Sequence, residues 1–438
     1  MQSLKNLRKT AVCKILSAYY TAVTSVTAGG KPGSELPQAP ADFTPVIRFA
    51  VCSDIHISGK DERIEEGRLR KLIEFMNDYS EKQSYTGFDA LCVVGDMTNG
   101  GRNYEYDAFN KVIKECLRPA TKLLICTGNH EYIEYRGYDA SQGARMFERK
   151  LKRKSQDTHE IINGYHFILT SYDEDGKTFK AKCKDMDIHL LGAAKVSGNK
   201  PVFTFQHPAP QGTVYGSVAW GDRDITKIYR KYPGTINFSG HSHYPVNDPR
   251  SVWQSTFTAL GCGTLKYFET DLDGFSGNFP YEINQAAQFY IVEGDEEGNV
   301  RVKSYDLITD SFFENEYYFS NLYKKNFPYS YAKMKKLDGK PRFENPAITV
   351  KTNDDGECIL TFDGAKDRFV TESYKVTLFS KGRAKKSFSF SGKYMYLGEP
   401  DVYDVNFGKL RAGKYTAHIT AMNAYAKCSG ALKYKFTI

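Results

Sequence analysis

The fold is decided by the stretch Val46-Ile47-Arg48-Phe49-Ala50-Val51-Cys52-Ser53-Asp54-Ile55-His56. Its first seven residues are an almost continuous apolar run, which is typical of a strand buried on both faces. The run ends at an aspartate and a histidine, two residue types that can bind metal ions. Because side chains at positions i and i+2 of an extended chain share a face, Asp54 and His56 are predicted to point the same way.

Two more buried strands are predicted at Ala90–Val94 and Lys122–Cys126, and charged segments with helical periodicity separate the three strands. The second strand ends at Gly95-Asp96, and the third ends at Gly128-Asn129-His130-Glu131. The alternation predicts a parallel sheet covered by helices, in which ligands bind at the carboxyl ends of the strands. The helices are predicted at about 61–81 and 105–117.

Further along the chain, more strand-like runs end at polar residues. Strands are predicted at Tyr165–Leu169, Pro201–Phe205 and Thr235–Ser239. The second of these ends at Gln206-His207, and the third ends at Gly240-His241-Ser242-His243. Residues 287–306 are predicted to form a hairpin around a Gly- and Asn-containing turn, and we expect this hairpin to close a second sheet.

The polar residues at these strand ends form a set suited to two divalent metal ions. Two ions ~3.5–4 Å apart lower the pKa of a bound water and hold phosphate oxygens, as phosphoester hydrolysis requires. The set contains no thiolate, so it favours a site for Mn, Fe or Zn over a structural zinc site bound by cysteines. Taken singly, some of these residues are weak evidence for a metal site. Asp54 and His56 also fit a pair of surface residues, and His207 also fits a structural histidine. The candidate ligands are Asp54, His56, Asp96, Asn129, His207, His241 and His243.

In this order the motifs resemble those of the calcineurin-like metallophosphoesterase superfamily, over about residues 45–306. The resemblance implies an α/β fold of four layers, α/β/β/α, and two metal sites. It assigns Asp54, His56, Asp96 and His243 to one metal and Asp96, Asn129, His207 and His241 to the other, so that Asp96 bridges the two. His130 matches the family's histidine that is not a ligand. We expect it to stabilise transition-state charge or to protonate the leaving oxygen.

The residues after Asp96 separate branches of the superfamily. Purple acid phosphatases carry a tyrosine at the position of Asn99, and protein Ser/Thr phosphatases carry Asp-Arg-Gly where this chain has Thr98-Asn99-Gly100-Gly101. The segment is most similar to the cyclic-nucleotide phosphodiesterase and glycerophosphodiesterase-like branch. In that branch Asn99 is expected to face the phosphate, although an ordinary turn asparagine fits equally well. Tyr215, in the loop after His207, is a second candidate for substrate contact from its position alone.

Three regions are predicted along the chain. Residues 1–44 form an N-terminal extension and a linker, residues 45–335 form the metallophosphoesterase domain, and residues 340–438 form a small all-β sandwich of short alternating runs. In the sandwich, Leu410-Arg411-Ala412-Gly413-Lys414-Tyr415 resembles the tyrosine corner of fibronectin type III and Ig-like domains. We therefore expect a C-terminal domain of that kind.

The formal charge of +8 is concentrated in the C-terminal region. Residues 340–438 carry 17 Lys and Arg against 10 Asp and Glu, and the rest of the chain is nearly neutral. These lysines show no evident interleaving with aromatic residues and favour a solvated face, so nucleic acid is not expected as a partner. We expect a small phosphoester substrate instead. No segment is apolar enough to predict a membrane span.

Cysteine usage bears on the compartment. The nine cysteines are an odd number and are scattered singly, which favours a reducing compartment and hence the cytoplasm. The N-terminus loosely resembles a secretory signal, because Lys5, Arg8 and Lys9 precede a mildly apolar stretch, but Lys14 interrupts that stretch. An amphipathic helix fits it about as well. If the segment is a signal peptide, the protein is secreted or held at the cell surface.

These features favour a metal-dependent hydrolase acting on ester bonds. The expected reaction is hydrolysis of a phosphodiester or phosphomonoester by attack of a metal-bridging hydroxide at a dinuclear site. One alternative is a binding or scaffold protein that keeps the fold without catalysis, which predicts a lost ligand or a lost His130, and neither is seen. Another is a nuclease that uses the basic C-terminal domain. The remaining histidines are predicted to be structural or at the surface: His159, His166, His189 and His418.

Overall fold

The structure is a computed structural model, and it describes residues 35–59, 63–273, 275–324 and 326–438. Most of the predicted N-terminal extension, including the signal-like segment, lies outside these ranges. The described residues form two compact units. The larger unit contains residues up to 269 and residues 283–331, and the smaller contains residues 270–282 and 332–438. Within the described ranges, no helix combines the length and the apolar character needed to cross a membrane.

Elements are labelled in chain order. The strands are β1 (Ile47–Cys52), β2 (Ala90–Val94), β3 (Lys122–Cys126), β4 (Thr158–Ile162), β5 (Tyr165–Leu169), β6 (Val202–Phe205), β7 (Thr235–Ser239), β8 (Val252–Gln254), β9 (Thr258–Gly261), β10 (Thr270–Leu272), β11 (Phe275–Asn278), β12 (Gln288–Gly294), β13 (Val300–Asp306), β14 (Ser311–Phe319), β15 (Ile348–Thr352), β16 (Cys358–Asp363), β17 (Thr371–Ser380), β18 (Arg383–Ser391), β19 (Val402–Asn406), β20 (Lys414–Asn423) and β21 (Leu432–Thr437). The helices are α1 (Ile64–Glu81), α2 (Asn103–Cys116), α3 (Ser141–Lys150), α4 (Lys182–Val196), α5 (Ser217–Trp220), α6 (Arg223–Tyr229) and α7 (Tyr331–Leu337). Short 3-10 helices span His130–Tyr135 and Pro249–Ser251.

The first sheet of the larger unit has the strand order β14-β13-β12-β1-β2-β3. As predicted, β1, β2 and β3 run parallel, and every residue of β1 and β2 is buried. The predicted hairpin forms as β12 and β13, but its expected place was wrong. It does not close a second sheet, because β12 pairs antiparallel with β1 in the first. Apolar alternation identifies a hairpin without saying which strand it pairs with.

The second sheet of the larger unit has the order β4-β5-β6-β7-β9-β8, in which β5, β6, β7 and β9 run parallel. Aromatic residues join the two sheets. The ring of Phe49 in β1 lies 4.9 Å from the ring of Phe167 in β5 and 4.8 Å from the ring of Phe203 in β6. Packing of this kind brings the carboxyl ends of two sets of parallel strands to one side of the unit.

Helices of the larger unit pack apolar residues against the sheets. The two predicted at about 61–81 and 105–117 are confirmed as α1 and α2. In α1 the buried apolar residues recur every three or four positions and pack in one cluster with β1 and β2: Leu69, Leu72, Ile73 and Met76. Leu190 of α4 and Ile225 of α6 share a second cluster with Ile168 of β5. The larger unit is therefore a mixed α/β fold with a sheet under each helical group.

The smaller unit contains two antiparallel sheets and a hairpin. The sheets have the orders β15-β16-β19 and β18-β17-β20-β21, and their inner residues share one core. The Tyr415 hydroxyl donates to the backbone oxygen of Arg411 (2.8 Å) at the start of β20. The hairpin β10–β11, distant in sequence, belongs to this unit, and Thr270 of β10 shares a hydrogen bond of 3.1 Å with Ser391 of β18.

Candidate metal centre

The candidate ligands lie just beyond the carboxyl ends of parallel strands. Asp54 and His56 follow β1, Asp96 follows β2, Asn129 follows β3, and the remaining histidines follow β6 and β7. Since both sheets present these ends on the same side of the unit, residues far apart in sequence meet there. The side chains of Asp54, Asp96 and His207 are nearly inaccessible to solvent.

The backbone at these positions is unusual. Five candidate ligands have positive φ angles: Asp54 (53°), His56 (52°), Asp96 (50°), His241 (71°) and His243 (56°). Left-handed backbone is uncommon for residues other than glycine and costs on the order of 1–3 kcal/mol at each position. The surrounding sheets hold the chain in these sharp turns, and the turns aim the side chains inward. Such strain concentrated at one site favours a functional role for it.

One group of four ligand atoms belongs to Asp54, His56, Asp96 and His243, and all four lie within 4.8 Å of one another. Nε2 of His243 is 3.1 Å from Nε2 of His56 and 3.1 Å from Oδ1 of Asp54. Nε2 of His56 is 3.9 Å from Oδ2 of Asp96. Four donors this close can all reach a single divalent ion.

A second group consists of Asp96, His207 and His241. Nε2 of His207 is 3.0 Å from Oδ2 of Asp96, and the rings of His207 and His241 have centroids 5.0 Å apart. Asp96 belongs to both groups, as a bridging carboxylate must. Asn129 follows β3, and its amide Oδ1 is buried with no hydrogen-bond partner within the described residues.

Each carboxylate has one oxygen fixed by the backbone and the other turned to the cluster. Oδ2 of Asp54 accepts from the backbone N–H of His241 (3.0 Å), and Oδ1 of Asp96 accepts from that of His130 (2.7 Å). Oδ1 of Asp54 and Nε2 of His207 are buried without a partner in hydrogen-bonding geometry, among the residues described. Buried polar atoms are rarely left so, and atoms that face one shared space fit a bound cation.

Backbone oxygens orient two of the candidate histidine ligands by contacting the ring nitrogen that faces away from the cluster. Nδ1 of His207 lies 2.8 Å from the backbone oxygen of Val94, and Nδ1 of His243 lies 3.0 Å from that of Tyr267. A carbonyl oxygen only accepts, so each Nδ1 carries the hydrogen and Nε2 is the nitrogen turned to the cluster. This is the arrangement found for metal-binding histidines in general.

The electrostatics of the cluster are those of carboxylates balanced by imidazoles. Although burial alone raises it, the pKa of Asp54 lies well below its usual value because of His243 and His207. The pKa of Asp96 is likewise lowered against burial, mainly by His207. Burial lowers the pKa of His56 to about 4 and that of His241 to about 3, so both imidazoles are neutral at pH 7. Although burial alone lowers it, the pKa of His207 is raised to about 10 by Asp96 and Asp54, and that of His243 is raised by Asp54. These two imidazoles would therefore release a proton when a cation binds. Carboxylate oxygens together with imidazole nitrogens are a donor set that fits Mn, Fe or Zn.

His130 lies beside the cluster with 25% of its side chain accessible, whereas the side chains of Asp54, Asp96 and His207 are nearly inaccessible. Its Nδ1 donates to the backbone oxygen of Asn99 (2.8 Å), and its Nε2 lies 3.9 Å from Oδ2 of Asp96. It starts the 3-10 helix His130–Tyr135. The histidine is therefore held by one nitrogen and presents the other at the edge of the ligand cluster.

The two predicted substrate contacts differ in their surroundings. Asn99 adjoins His130 through its backbone oxygen, next to the cluster. Tyr215 is 3% exposed. Its ring packs 4.1 Å from that of Tyr244 and 3.5 Å from the guanidinium carbon of Arg250. The described contacts thus place Tyr215 beneath the segment that follows His243.

No role was predicted for Glu131 from the sequence, but its buried carboxylate accepts hydrogen bonds from the turns after β2 and β3. Its Oε2 accepts from the backbone N–H groups of Asp96 (3.0 Å) and Gly128 (2.6 Å). Its Oε1 accepts from the backbone N–H (3.0 Å) and the hydroxyl (2.8 Å) of Thr98. Burial and the neighbouring Asp96 raise the pKa of Glu131 to about 7. One side chain therefore ties together the turns after β2 and β3, and its place next to His130 in the motif was the available signal.

Gly128 shows how closely those two turns approach. A side-chain carbon at this position would collide with the carboxylate and backbone nitrogen of Asp96. Only glycine leaves room for the bridging carboxylate there. The glycine before Asn129 is thus a requirement of the site and not only of the turn.

Two aromatic residues outside the predicted set flank the ligands. The ring of Trp220 stands perpendicular to that of His241 with centroids 5.7 Å apart, and 39% of this residue is exposed. The half-buried ring of Tyr267 lies 4.1 Å from the ring of His243. No spacing rule in the sequence connects either residue with the motifs.

Residues 47–245 match the family model described as calcineurin-like phosphoesterase. The match supports the superfamily indicated by the motifs, and with the buried Asp and His cluster it suggests a dinuclear metal site in a phosphoester hydrolase. No curated protein matches the chain.

Solved structures with some likeness include a purple acid phosphatase from yellow lupin (Lupinus luteus) seeds, at 12% identity and a TM-score of 0.44. That likeness covers 63% of this chain and 53%, about half, of the lupin chain. Another is the soluble domain of PmoD from Methylocystis sp., at 16% identity and a TM-score of 0.17, covering 22% of this chain and 95% of that one. Both TM-scores are low, and neither likeness carries an argument about fold or function.

Proposed function

We propose that this chain is a metal-dependent phosphoesterase of the calcineurin-like superfamily, and that its buried cluster holds two divalent ions. One observation carries the proposal. Six carboxylate and imidazole side chains, from four strand ends in two sheets, come together in two overlapping groups that share Asp96. A scaffold that had lost catalysis would have no need to keep this set buried, strained and complete.

In this proposal Asp54, His56 and His243 complete one site with Asp96. Asn129, His207 and His241 complete the other. The ions, when bound, neutralise the charge of the phosphoester and lower the pKa of a bound water. The chain's own contribution is to fix the donors: backbone N–H groups hold the outer carboxylate oxygens, and backbone carbonyls hold the outer imidazole nitrogens.

His130 is proposed to supply the proton for the leaving oxygen. Because its Nδ1 is engaged with the backbone oxygen of Asn99, its Nε2 is the nitrogen that can carry a proton to the reacting group. Its partial exposure leaves a path by which solvent can restore that proton. General acid catalysis of this kind typically contributes 10²–10⁴-fold to turnover, by order of magnitude.

The first substrates to consider are small phosphodiesters, since the residues after Asp96 are most similar to the cyclic-nucleotide and glycerophosphodiesterase-like branch. We propose that the exposed ring of Trp220 lines the approach to the centre. Asn99 is proposed to face the phosphate. Tyr215, being buried, is proposed to act by supporting Tyr244 and the segment around it, rather than as an exposed contact.

Two finer features of the fold belong to the same proposal. The larger unit is taken as the four-layer α/β/β/α arrangement of the superfamily, within residues 45–335. Residues 340–438 are taken as a fibronectin type III-like or Ig-like domain, supported by the strand orders β15-β16-β19 and β18-β17-β20-β21 and by the bond from Tyr415 to Arg411.

The test is hydrolysis by metal-depleted protein to which Mn²⁺, Fe²⁺ or Zn²⁺ is restored, with chromogenic monoesters, chromogenic diesters and cyclic nucleotides as substrates. We expect hydrolysis that depends on the added metal and is lost in His241→Ala. The matched control is His189→Ala, an exposed histidine of α4 outside the cluster, which should retain activity. Full activity in His241→Ala, or no hydrolysis of any ester with any of the metals, would contradict the proposal.

A further inference from the structure

Several exposed lysines of the smaller unit lie on one face of its four-stranded sheet. On β17, Lys375 and Phe379 share the side of the strand opposite to the core residues Val376 and Leu378. The register pairs Lys375 with Thr420 and Phe379 with Thr416 of β20. These positions therefore lie on the solvent side of the four-stranded sheet.

The same face continues onto the last strand. Thr416 of β20 is opposite Lys435 of β21, and His418 is opposite Lys433. Lys414, opposite Thr437, is a diagonal neighbour of Lys435. The exposed lysines of this cationic face are Lys375, Lys414, Lys433 and Lys435, with Lys381 in the turn after β17.

No acidic side chain balances these lysines. Neither β20 nor β21 contains an Asp or Glu, and none lines the cavity on this face, as far as the described residues extend. Like charges placed side by side on a sheet are unfavourable. A concentration of one sign of charge over a surface depression is instead suited to attract an anionic partner.

The cationic face also contains rings and hydroxyls. A surface cavity of about 740 Å³ is lined by four of the lysines together with Phe379, Thr416 and His418. The rings of Phe379 and His418 have centroids 4.5 Å apart. Tyr415 and Phe436 also line the cavity, but they alternate to the other side of their strands and pack against the core of the unit. From the sequence alone the lysines favoured a solvated face, but the register places the rings of Phe379 and His418 among them.

We propose that the cationic face of the smaller unit binds single-stranded nucleic acid. Proteins that do so combine a positively charged groove for the phosphates with aromatic rings on which bases stack. Lysines on one side of β21 recur every two residues, about 6.6–6.8 Å, so they can meet successive negative charges of a flexible strand. An anionic membrane surface needs charge but neither a depression nor rings, and this face offers both.

The test is fluorescence anisotropy of a labelled single strand of about 12 nucleotides with the full chain, in chelator so that no metal-dependent cleavage occurs. We expect binding to weaken steeply between about 50 and about 200 mM salt. The triple variant Lys414→Gln, Lys433→Gln, Lys435→Gln should bind weakly, with a salt slope smaller by about 2, since each phosphate neutralised contributes about 0.7 for a single strand. Phe379→Ala should weaken binding with the slope unchanged.

The matched control removes three exposed lysines elsewhere in the unit, with Lys351→Gln, Lys366→Gln and Lys409→Gln. It should keep the slope of the original protein, and circular dichroism should show all variants folded. Equal loss in both triple variants, no effect of the cationic-face triple, or stronger binding to anionic lipid vesicles than to the oligonucleotide would overturn the proposal. Because binding is measured without metals and hydrolysis with chromogenic esters, failure here and failure of the phosphoesterase proposal give different results.

Discussion

Replacing Glu131 should loosen the metal centre by a predictable amount. Three backbone N–H groups, those of Asp96, Thr98 and Gly128, donate to its carboxylate, together with the hydroxyl of Thr98. In Glu131→Gln the new NH₂ group is best placed toward Thr98, whose hydroxyl changes from donor to acceptor, so the N–H of Thr98 is the backbone donor that loses its acceptor. One unsatisfied buried donor costs about 1–3 kcal/mol of the free energy of unfolding. In Glu131→Ala the three N–H groups and the Thr98 hydroxyl all lose this acceptor, and the N–H groups alone raise the cost to about 3–9 kcal/mol.

The assay is urea unfolding of the metal-free protein, followed by circular dichroism, with metal affinity measured by competition with a chromogenic chelator. Because the affected N–H groups belong to the turns that carry Asp96 and Asn129, metal affinity should fall by about 10–100-fold. The matched control is Glu134→Ala in the same 3-10 helix. Its carboxylate makes an exposed ion pair with Arg102 (2.9 Å), which is worth at most about 1 kcal/mol.

The loss of unfolding free energy should be largest in Glu131→Ala, smaller in Glu131→Gln and smallest in Glu134→Ala. If Glu131→Ala were no more destabilising than Glu134→Ala, and bound metals as tightly as the original protein, then the buried carboxylate does not hold the two turns. A large loss in Glu131→Ala with no loss in Glu131→Gln would point to filled space, and not to hydrogen bonds, as the contribution of Glu131.

Other predictions concern the acid, the core and the smaller unit. His130→Gln should reduce turnover about 10²–10⁴-fold, measured with a chromogenic diester, while elemental analysis finds the metals still bound. Arg48→Ala should lower the free energy of unfolding by about 1.5–3 kcal/mol in urea titrations, because the buried Glu293 would lose the hydrogen bond from Arg48 (2.7 Å) and keep only Arg301. Burial and the nearby Asp367 raise the pKa of Asp338 to about 8. Its stabilisation is complete below the unfolded pKa of about 4 and is lost as pH rises through 8, so Asp338→Asn should flatten the fall in Tm across that range.

The positions of the ligands could be predicted from the sequence because they depend on short-range patterns. Apolar runs identified β1, β2 and β3, and the carboxyl ends of parallel strands bring the next residues of each segment to one edge of the sheet. The sharp turns at Asp54 and His243 could not be predicted, since a positive φ at a residue other than glycine has no compositional signal. Glu131 was missed for a related reason: its role lies in three N–H groups, and backbone groups are invisible in a sequence motif.

The pairing of strands that are distant in sequence could not be predicted either. The hairpin β12–β13 was recognised from alternation, but its pairing with β1 depends on which sheet edge is open, and periodicity carries no information about that. The hairpin β10–β11 joins the smaller unit although it precedes it by about fifty residues of chain. In β21 the alternating lysines are visible in the sequence, but the rings of Phe379 and His418 were placed beside them only by the register of β20 with β17 and β21.

The central claim is that Asp96 joins two metal ions in a centre that hydrolyses phosphoesters. The measurement that tests it most directly is a titration of metal-depleted protein with Mn²⁺ that monitors bound metal and diester hydrolysis together, in the original chain and in Asp96→Asn. We predict two ions per chain, hydrolysis that appears only as the second ion binds, and loss of both the second ion and the activity in Asp96→Asn. Hydrolysis at the original rate in Asp96→Asn, or in protein that holds no metal, would contradict the claim.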